Sequence, residues 1–413
     1  MGEQVSTITR VGFQGDGITP EGLFVPLTLP DEQVRIAVGK DNQARLLEVL
    51  SLSPERTEPP CKHFSVCGGC ALQHWEMTPY SAWKRDMVIS VLEKAGLETE
   101  FGPILTTPPE TRRRVGLHAK KIKGRTELGF KMRRSWEQVR IEECPVADPA
   151  LIRAIPYLSE IASVLFEHPK SAPILQVTLS QTGLDIDIRG VERNKSGGLS
   201  ADARMQIAMI AGEHDIARIT LSEEILYQSR LPSVRFGRAL VDLPPASFLQ
   251  ASAKSEADMV GLVKEAIAGC KNVADLFCGA GAFTFPMAEI ASVYAVDGAG
   301  GAVSALKAAI GRAPGLKPIR AETRDLFRRP LVREELSVFD AVVFDPPRAG
   351  AEAQARELAQ SKVSKVIGVS CNPQTFARDA QILTQSGFKL DKVTPIDQFL
   401  WSTHVELVAV FSR

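Results

Sequence analysis

From about Ala246 to Arg413, short apolar runs alternate with helical stretches, and few folds accept that pattern. The runs are NVADLFCG, SVYAVDG, the stretch around LKPIRAE, FDAVVFDPP, KVIGVSCNP, FKLDKVTPI and HVELVAVF. Strands covered on both faces read as near-continuous apolar runs, with helices crossing between them. The pattern therefore predicts an α/β unit over 244–413: a doubly wound, Rossmann-like parallel sheet closed by a terminal hairpin. Such sheets bind their ligands at the carboxyl ends of the strands.

Three strand ends carry chemistry. Asp275-Leu-Phe-Cys-Gly-Ala-Gly281 runs a strand into a glycine turn, and Asp297 ends the next strand. Glycines let the backbone approach a ligand, and a carboxylate after the second strand can hold a ribose hydroxyl pair. The third glycine of the dinucleotide fingerprint is missing, since Phe283 and Thr284 follow Ala282. That favours a nucleoside ligand without a pyrophosphate, such as S-adenosylmethionine. Asp345-Pro-Pro-Arg348 ends the fourth strand, and Cys371 in Ser370-Cys371-Asn372-Pro373 ends the fifth. A cysteine in an apolar strand is ordinarily small core filling. Its place at the crevice, beside Asp345 and just before the break at Asn372-Pro373, favours a nucleophile. Cys278, inside the glycine turn, and Cys270 read as structural.

The rest of the chain has a different character. Residues 1–56 alternate short apolar runs with turn signals, which predicts a small antiparallel β-barrel. Residues 57–243 mix helix and strand, around a break at Lys195-Ser196-Gly197-Gly198, and read as a central α+β unit. Thr78 to Ala95 has helical spacing. Net charge is zero, with 49 basic and 49 acidic residues, so any nucleic-acid partner must be met by local segregation of charge. Between 112 and 140 that segregation occurs: Arg112, Arg113, Arg114, Lys121, Lys131, Arg133 and Arg134 stand among further basic residues, opposed only by Glu127 and Glu137. With Phe130 and Trp136 interleaved, the stretch suits either a solvated face or phosphate contact with base stacking. Seven cysteines and no apolar leader or membrane-length run argue for a reducing, cytoplasmic setting without a disulfide framework. Four of them, Cys61-x5-Cys67-x2-Cys70 and Cys144-Pro145, have metal-ligand spacing, and thiolates of this kind hold either an iron–sulfur cluster or zinc.

Together DLFCGAGAF, FDPPRAG, VSCNP and the closing HVE resemble the RNA uracil-5 methyltransferase family, over nearly the whole chain. Its 23S ribosomal RNA branch implies an N-terminal TRAM (OB-like) barrel, a central RNA-binding unit with an iron–sulfur cluster, and a methyltransferase domain. The resemblance implies a [4Fe-4S] cluster on Cys61, Cys67, Cys70 and Cys144. It also implies a cofactor site of Gln250, Phe277, Gly279, Gly281, Ala282, Asp297, Asp325 and Asp345, with Asp297 where most members have Glu and Ala282 where many have Asn.

Uracil C5 is too weak a nucleophile to take a methyl group unaided, so covalent catalysis is implied. Cys371 would add to C6, C5 would be methylated, and Glu406 of His404-Val-Glu406 would remove the C5 proton, with Asp345 orienting the ring or the thiol. A base inside a helix is unreachable, so the target uridine is expected unpaired or flipped out. The motif DPPRAG lacks the second cysteine of cytosine-5 RNA methyltransferases, which favours uridine. The expected protein is a monomer acting on RNA, with no membrane contact. An NAD(P)-binding iron–sulfur oxidoreductase and a non-catalytic RNA-binding factor of the same fold are the other readings open at this point.

Overall fold

The structure is a computed structural model that describes residues 2–192 and 198–413; residues 195–197 of the glycine/serine break lie outside the described residues. Its largest sheet runs in the order Ile319–Thr323, Ser292–Asp297, Asn272–Leu276, Ala341–Phe344, Lys365–Ser370, Glu406–Ser412, Lys389–Asp397 and Glu100–Phe101. The first five strands are parallel, and the last long pair forms the antiparallel hairpin expected. Every residue of Ala341–Phe344 is buried, as a central strand covered on both faces requires. One face packs Leu276, Val342, Val366, Phe376 and Leu383, the other Val273, Val343, Ile367, Met259 and Val263. The order reverses between Asn272–Leu276 and Ala341–Phe344, which opens the crevice for a ligand at their carboxyl ends.

Central residues form a seven-stranded sheet from Gln138–Arg140 to Glu224–Gln228, with helices Ile155–Ser163 and Ala201–Gly212 in its core. The N-terminal residues form two three-stranded antiparallel sheets, Glu3–Thr7 with Gln33–Val38 and Ala44–Ser51, and Arg10–Val11 with Gly17–Ile18 and Phe24–Val25, over a common core of Ile8, Val25, Val34 and Ile36.

One part of the segment 57–243 lies elsewhere than expected. Helix Met77–Lys94 packs Met87, Val88 and Leu92 into the core of the large sheet, and strands Glu100–Phe101 and Leu105–Thr106 pair with Lys389–Asp397. An apolar helix face needs cover, and an outer strand needs its free backbone groups capped. Neither need is legible from local spacing.

Where the three parts meet, Val11, Leu29, Leu72, Trp75, Tyr80 and Trp401 share one small core. Lys84 and Asp397, both with no exposed surface, form an ion pair there, and the Lys84 Nζ also donates to Tyr80 Oη and Phe399 O, each at 2.9 Å. Tyr80 Oη donates to Asp397 and accepts from the Trp401 N–H, both at 2.7 Å. Trp401 has φ +58°, unusual for an aromatic residue, and its carbonyl accepts from the N–H groups of Ala71 and Leu72.

Candidate active site

Cys371 follows directly on strand Lys365–Ser370 and precedes helix Pro373–Gln385. Asn372 caps that helix, accepting from the Gln374 N–H, and its Nδ2 donates to Arg348 O at 3.2 Å. Thr375 Oγ1 donates to the same carbonyl, so the Pro-Pro-Arg loop and the cysteine turn are tied together. The thiol remains partly exposed in a cavity of about 280 Å³ lined by Arg348, Asn372, Pro373, His404 and Val405, among others. Burial raises its pKa, Glu406 and Asp345 raise it further, and Arg348 opposes them.

Glu406 opens strand Glu406–Ser412 and is buried. Loss of water, with repulsion from Asp345, pushes its carboxyl up to about 8. A hydrogen-bonded chain joins these two acids. Asp345 Oδ2 accepts from Gln250 Nε2 at 3.2 Å, Gln250 Oε1 accepts from Gln398 Nε2 at 2.9 Å, and the same Nε2 donates to Glu406 Oε1 at 3.0 Å. Gln398 is itself held by the Ala251 N–H. Asp345 keeps some surface, yet the surrounding protein withholds enough water to push its carboxyl up to about 7. Each glutamine amide donates toward a carboxylate, Gln250 to Asp345 and Gln398 to Glu406.

The glycine turn adds a second group of acids. Gly279 N–H donates to Asp297 Oδ2 at 2.9 Å, and a side chain at Gly279 would meet nothing within 4 Å, so the turn faces open space. Gly281 has φ +100°, and a Cβ there would strike Phe285 at 2.8 Å. Asp275 is fully buried. Its Oδ2 accepts from Thr284 Oγ1, while Oδ1 has no partner among the described residues, and burial, with Asp345 and Asp297 nearby, pushes the carboxyl up to about 7. Carboxyls grouped in this way, with Asp345 and Asp297 acting on the buried Asp275, suit a cationic ligand. Beside them Phe277, with φ +62°, meets Phe327 at 5.5 Å between ring centres, and Asp325 accepts from the Phe327 N–H. Ala282 lies apart from this group, on the wall of a separate cavity of about 720 Å³ with Pro286 and Glu289.

A family model described as tRNA (Uracil-5-)-methyltransferase matches residues 191–413. The chain belongs to the RNA uracil-5 methyltransferase family. Among its relatives in that family, an RNA methyltransferase of Caulobacter vibrioides is 58% identical, covering 98% of this chain and 99% of that one. The 23S rRNA (uracil(1939)-C(5))-methyltransferase RlmD of Chromohalobacter salexigens is 32% identical over 98% of this chain and 89% of its own. The fold is similar to that of the Pyrococcus abyssi tRNA (uracil-54, C5)-methyltransferase in complex with S-adenosyl-L-homocysteine, with a TM-score of 0.75 and 23% identity over 98% and 99% of the two chains. Family membership removes the oxidoreductase reading.

Against the expectations for an RNA uracil-5 methyltransferase, Cys371, Glu406, Asp345, Gln250, Asp297, Gly279 and Gly281 gather at the crevice of the sheet. Gln398 and Phe327 were not anticipated; Gln398 belongs to no motif, and only the fold of the terminal hairpin brings it between Gln250 and Glu406. Cys61, Cys67, Cys70 and Cys144 lie close enough that the thiols of Cys61, Cys67 and Cys70 are each raised by burial and by neighbouring sulfurs, Cys70 to about 12. Among the described residues no three His, Cys, Asp or Glu side chains converge to hold a single metal ion.

The basic residues are differently placed. Arg113 donates to Gln250 O and to Glu256 Oε2 at 2.6 Å, and Arg112 lies over the Phe399 ring. Arg133 and Arg134 both bind the buried carboxylate of Asp16, leaving one Arg133 nitrogen without a partner among the described residues. Lys121 is exposed beside Phe166, and Lys131 bonds to Trp136 O under an indole that is 91% exposed.

Proposed function

We propose that this chain transfers a methyl group from S-adenosylmethionine to C5 of a uridine in RNA. The observation that carries the reading is the hydrogen-bonded chain from Asp345 through Gln250 and Gln398 to Glu406, ending beside the Cys371 thiol. When bound, S-adenosylmethionine supplies an electrophilic methyl and a positive charge, which the acidic group of Asp275, Asp297 and Asp345 suits; Phe277, Asp297 and Asp325 would hold its nucleoside. Cys371 as thiolate adds to uracil C6, and the electron pair displaced onto C5 makes that carbon nucleophilic. After methylation Glu406, as carboxylate, takes the C5 proton, the C5–H electrons re-form the C5–C6 double bond, and the Cys371 thiolate leaves. Gln398 orients Glu406, and Asp345 orients the uracil.

The substrate we favour is 23S rRNA, on the strength of the RlmD relative; a transfer RNA uridine is the second reading, supported by the description of the family model. Within the proposal, residues 1–56 form a TRAM-like RNA-binding unit, 57–243 the cluster and RNA-binding unit except for the helix and strands of 77–106, and 244–413 together with those elements the methyltransferase domain. Lys121, Lys131 and Trp136 are its leading solvent-facing RNA contacts. Cys61, Cys67, Cys70 and Cys144 would hold a [4Fe-4S] cluster, a reading that rests on the family resemblance, with zinc as the alternative. The protein is proposed to act as a cytoplasmic monomer. The deciding experiment maps 5-methyluridine in RNA from cells lacking the gene: loss at one uridine is expected, and an unchanged map in both ribosomal and transfer RNA overturns the assignment.

A further inference from the structure

The cavity that opens on Cys371 has one wall that no strand end supplies. Phe13, on the turn between Arg10–Val11 and Gly17–Ile18, lines it opposite in sequence to everything else there, together with Met87 and Val91 of helix Met77–Lys94. A phenyl ring 46% exposed is unremarkable by itself, because lone exposed apolar side chains are common. Its mounting is what sets it apart. Gly12 N–H donates to Asp16 O and Gly15 N–H to Gly12 O, each at 2.8 Å, so the turn is closed on itself. Asp16 anchors it from below through Arg133 and Arg134, at 2.8 and 2.7 Å. Gly15, with φ +75°, lies so close to its neighbours that a Cβ would meet Thr403 at 3.0 Å and Ala71 at 3.1 Å. The turn is thus wedged between the segment after Cys70 and the loop before Glu406, and Trp83 Nε1 holds Val11 O at 3.1 Å.

An apolar ring carried on an anchored turn at the rim of the cavity has little backbone freedom left to lose on binding, which is what a recognition surface needs. The rim around it is cationic: the Lys94 ammonium stands 5.5 Å from the Phe13 ring centre, and Arg348 lines the same cavity. A flat apolar face beside positive charge matches a single-stranded nucleic acid, whose bases stack and whose phosphates are anionic.

We infer that Phe13 is a stacking platform for a nucleobase of the RNA strand entering the Cys371 cavity, so that the N-terminal segment supplies part of the active-site rim. The inference rests on the uridine methylation proposed above. Its test uses the full-length protein and bulk RNA from cells lacking the gene, with 5-methyluridine measured by mass spectrometry. Phe13→Leu keeps the apolar bulk and removes the ring; it raises the KM for RNA on the order of tenfold, leaves the KM for S-adenosylmethionine and the melting temperature unchanged, and Phe13→Trp restores the wild-type KM. Val338→Ala, at an exposed apolar residue that does not line the Cys371 cavity, serves as the unaffected control. A Phe13→Leu enzyme with wild-type KM overturns the inference while leaving the function standing, as does a Phe13→Trp enzyme no better than Phe13→Leu. Wild-type protein that forms no 5-methyluridine overturns the function and the inference with it.

Discussion

The basic stretch 112–140 and the acidic strand ends at Asp275, Asp297 and Asp345 differ in what becomes of their charge. Arg113, Arg133 and Arg134 meet carboxylates of other segments, at Glu256 and Asp16, and so join parts of the protein to one another. Asp275, Asp345 and Glu406 have no ion-pair partner among the described residues, and burial holds their carboxyls at about 7, 7 and 8. Charge that is neutralised internally is structural. Charge that is buried and left without a counterion is poised for something that arrives from outside.

That contrast can be broken at its acidic end first. Cys371→Ala should lower methylation on the order of 10⁴-fold or more, because in the proposed mechanism the nucleophile and its base act as a unit, while S-adenosylmethionine still binds in calorimetry; residual turnover within tenfold of wild type would remove the covalent step. Glu406→Gln should cost roughly 10² to 10⁴ in rate and, since the adduct cannot collapse, should leave RNA attached to the protein on a denaturing gel. Attachment that is lost in Cys371→Ala would place the link at that sulfur.

At the basic end the expected effects are on stability. Arg113→Ala strands a buried Glu256 carboxylate and should cost about 3 kcal/mol of folding free energy, read by chemical denaturation. Lys121→Ala should change stability by less than about 0.5 kcal/mol and instead reduce the salt dependence of RNA binding by about one counterion. If the two variants exchanged effects, the division between joining and contacting residues would be wrong.

The smallest expected effect on binding is a pH dependence. The unfolded chain gives up carboxyl protons near pH 4, while the folded protein gives up those of Asp275, Asp345 and Glu406 near 7 to 8. Between these limits the folded state holds more protons, so stability in the absence of ligand falls as pH rises. A cation prefers ionised acids, so as Asp275 and Asp345 ionise through about 7 the affinity for S-adenosylmethionine should tighten several-fold from pH 6 to pH 8 and then level off. A flat or inverted profile by calorimetry would show that these acids do not face the ligand's charge.

Much of the C-terminal sheet was legible because its signals are local: apolar runs of strand length, a glycine turn that needs Gly281, and prolines that stop strands at Asp345 and Cys371. Gln398 was not legible, since its role depends on the register that sets Ile396 opposite Glu406. The position of helix Met77–Lys94 was equally hidden, for its spacing announces a helix but not which sheet will cover it. The arginines are instructive in another way. Sequence density reports where positive charge is made, and only the fold reports Asp16 and Glu256 waiting for it.

Trp401 has a consequence for how the protein is made. A bulky residue at positive φ costs on the order of 1–3 kcal/mol and persists only where its surroundings insist, and here they are Tyr80 on one side of the peptide and Ala71 and Leu72 on the other. All three lie in the first quarter of the chain. A fragment holding only 244–413 would carry Cys371 and Glu406 without the groups that shape the loop between Asp397 and Glu406. During synthesis the order is favourable: the mould for that loop leaves the ribosome some three hundred residues before the loop itself, so Glu406 is set in place against residues already made.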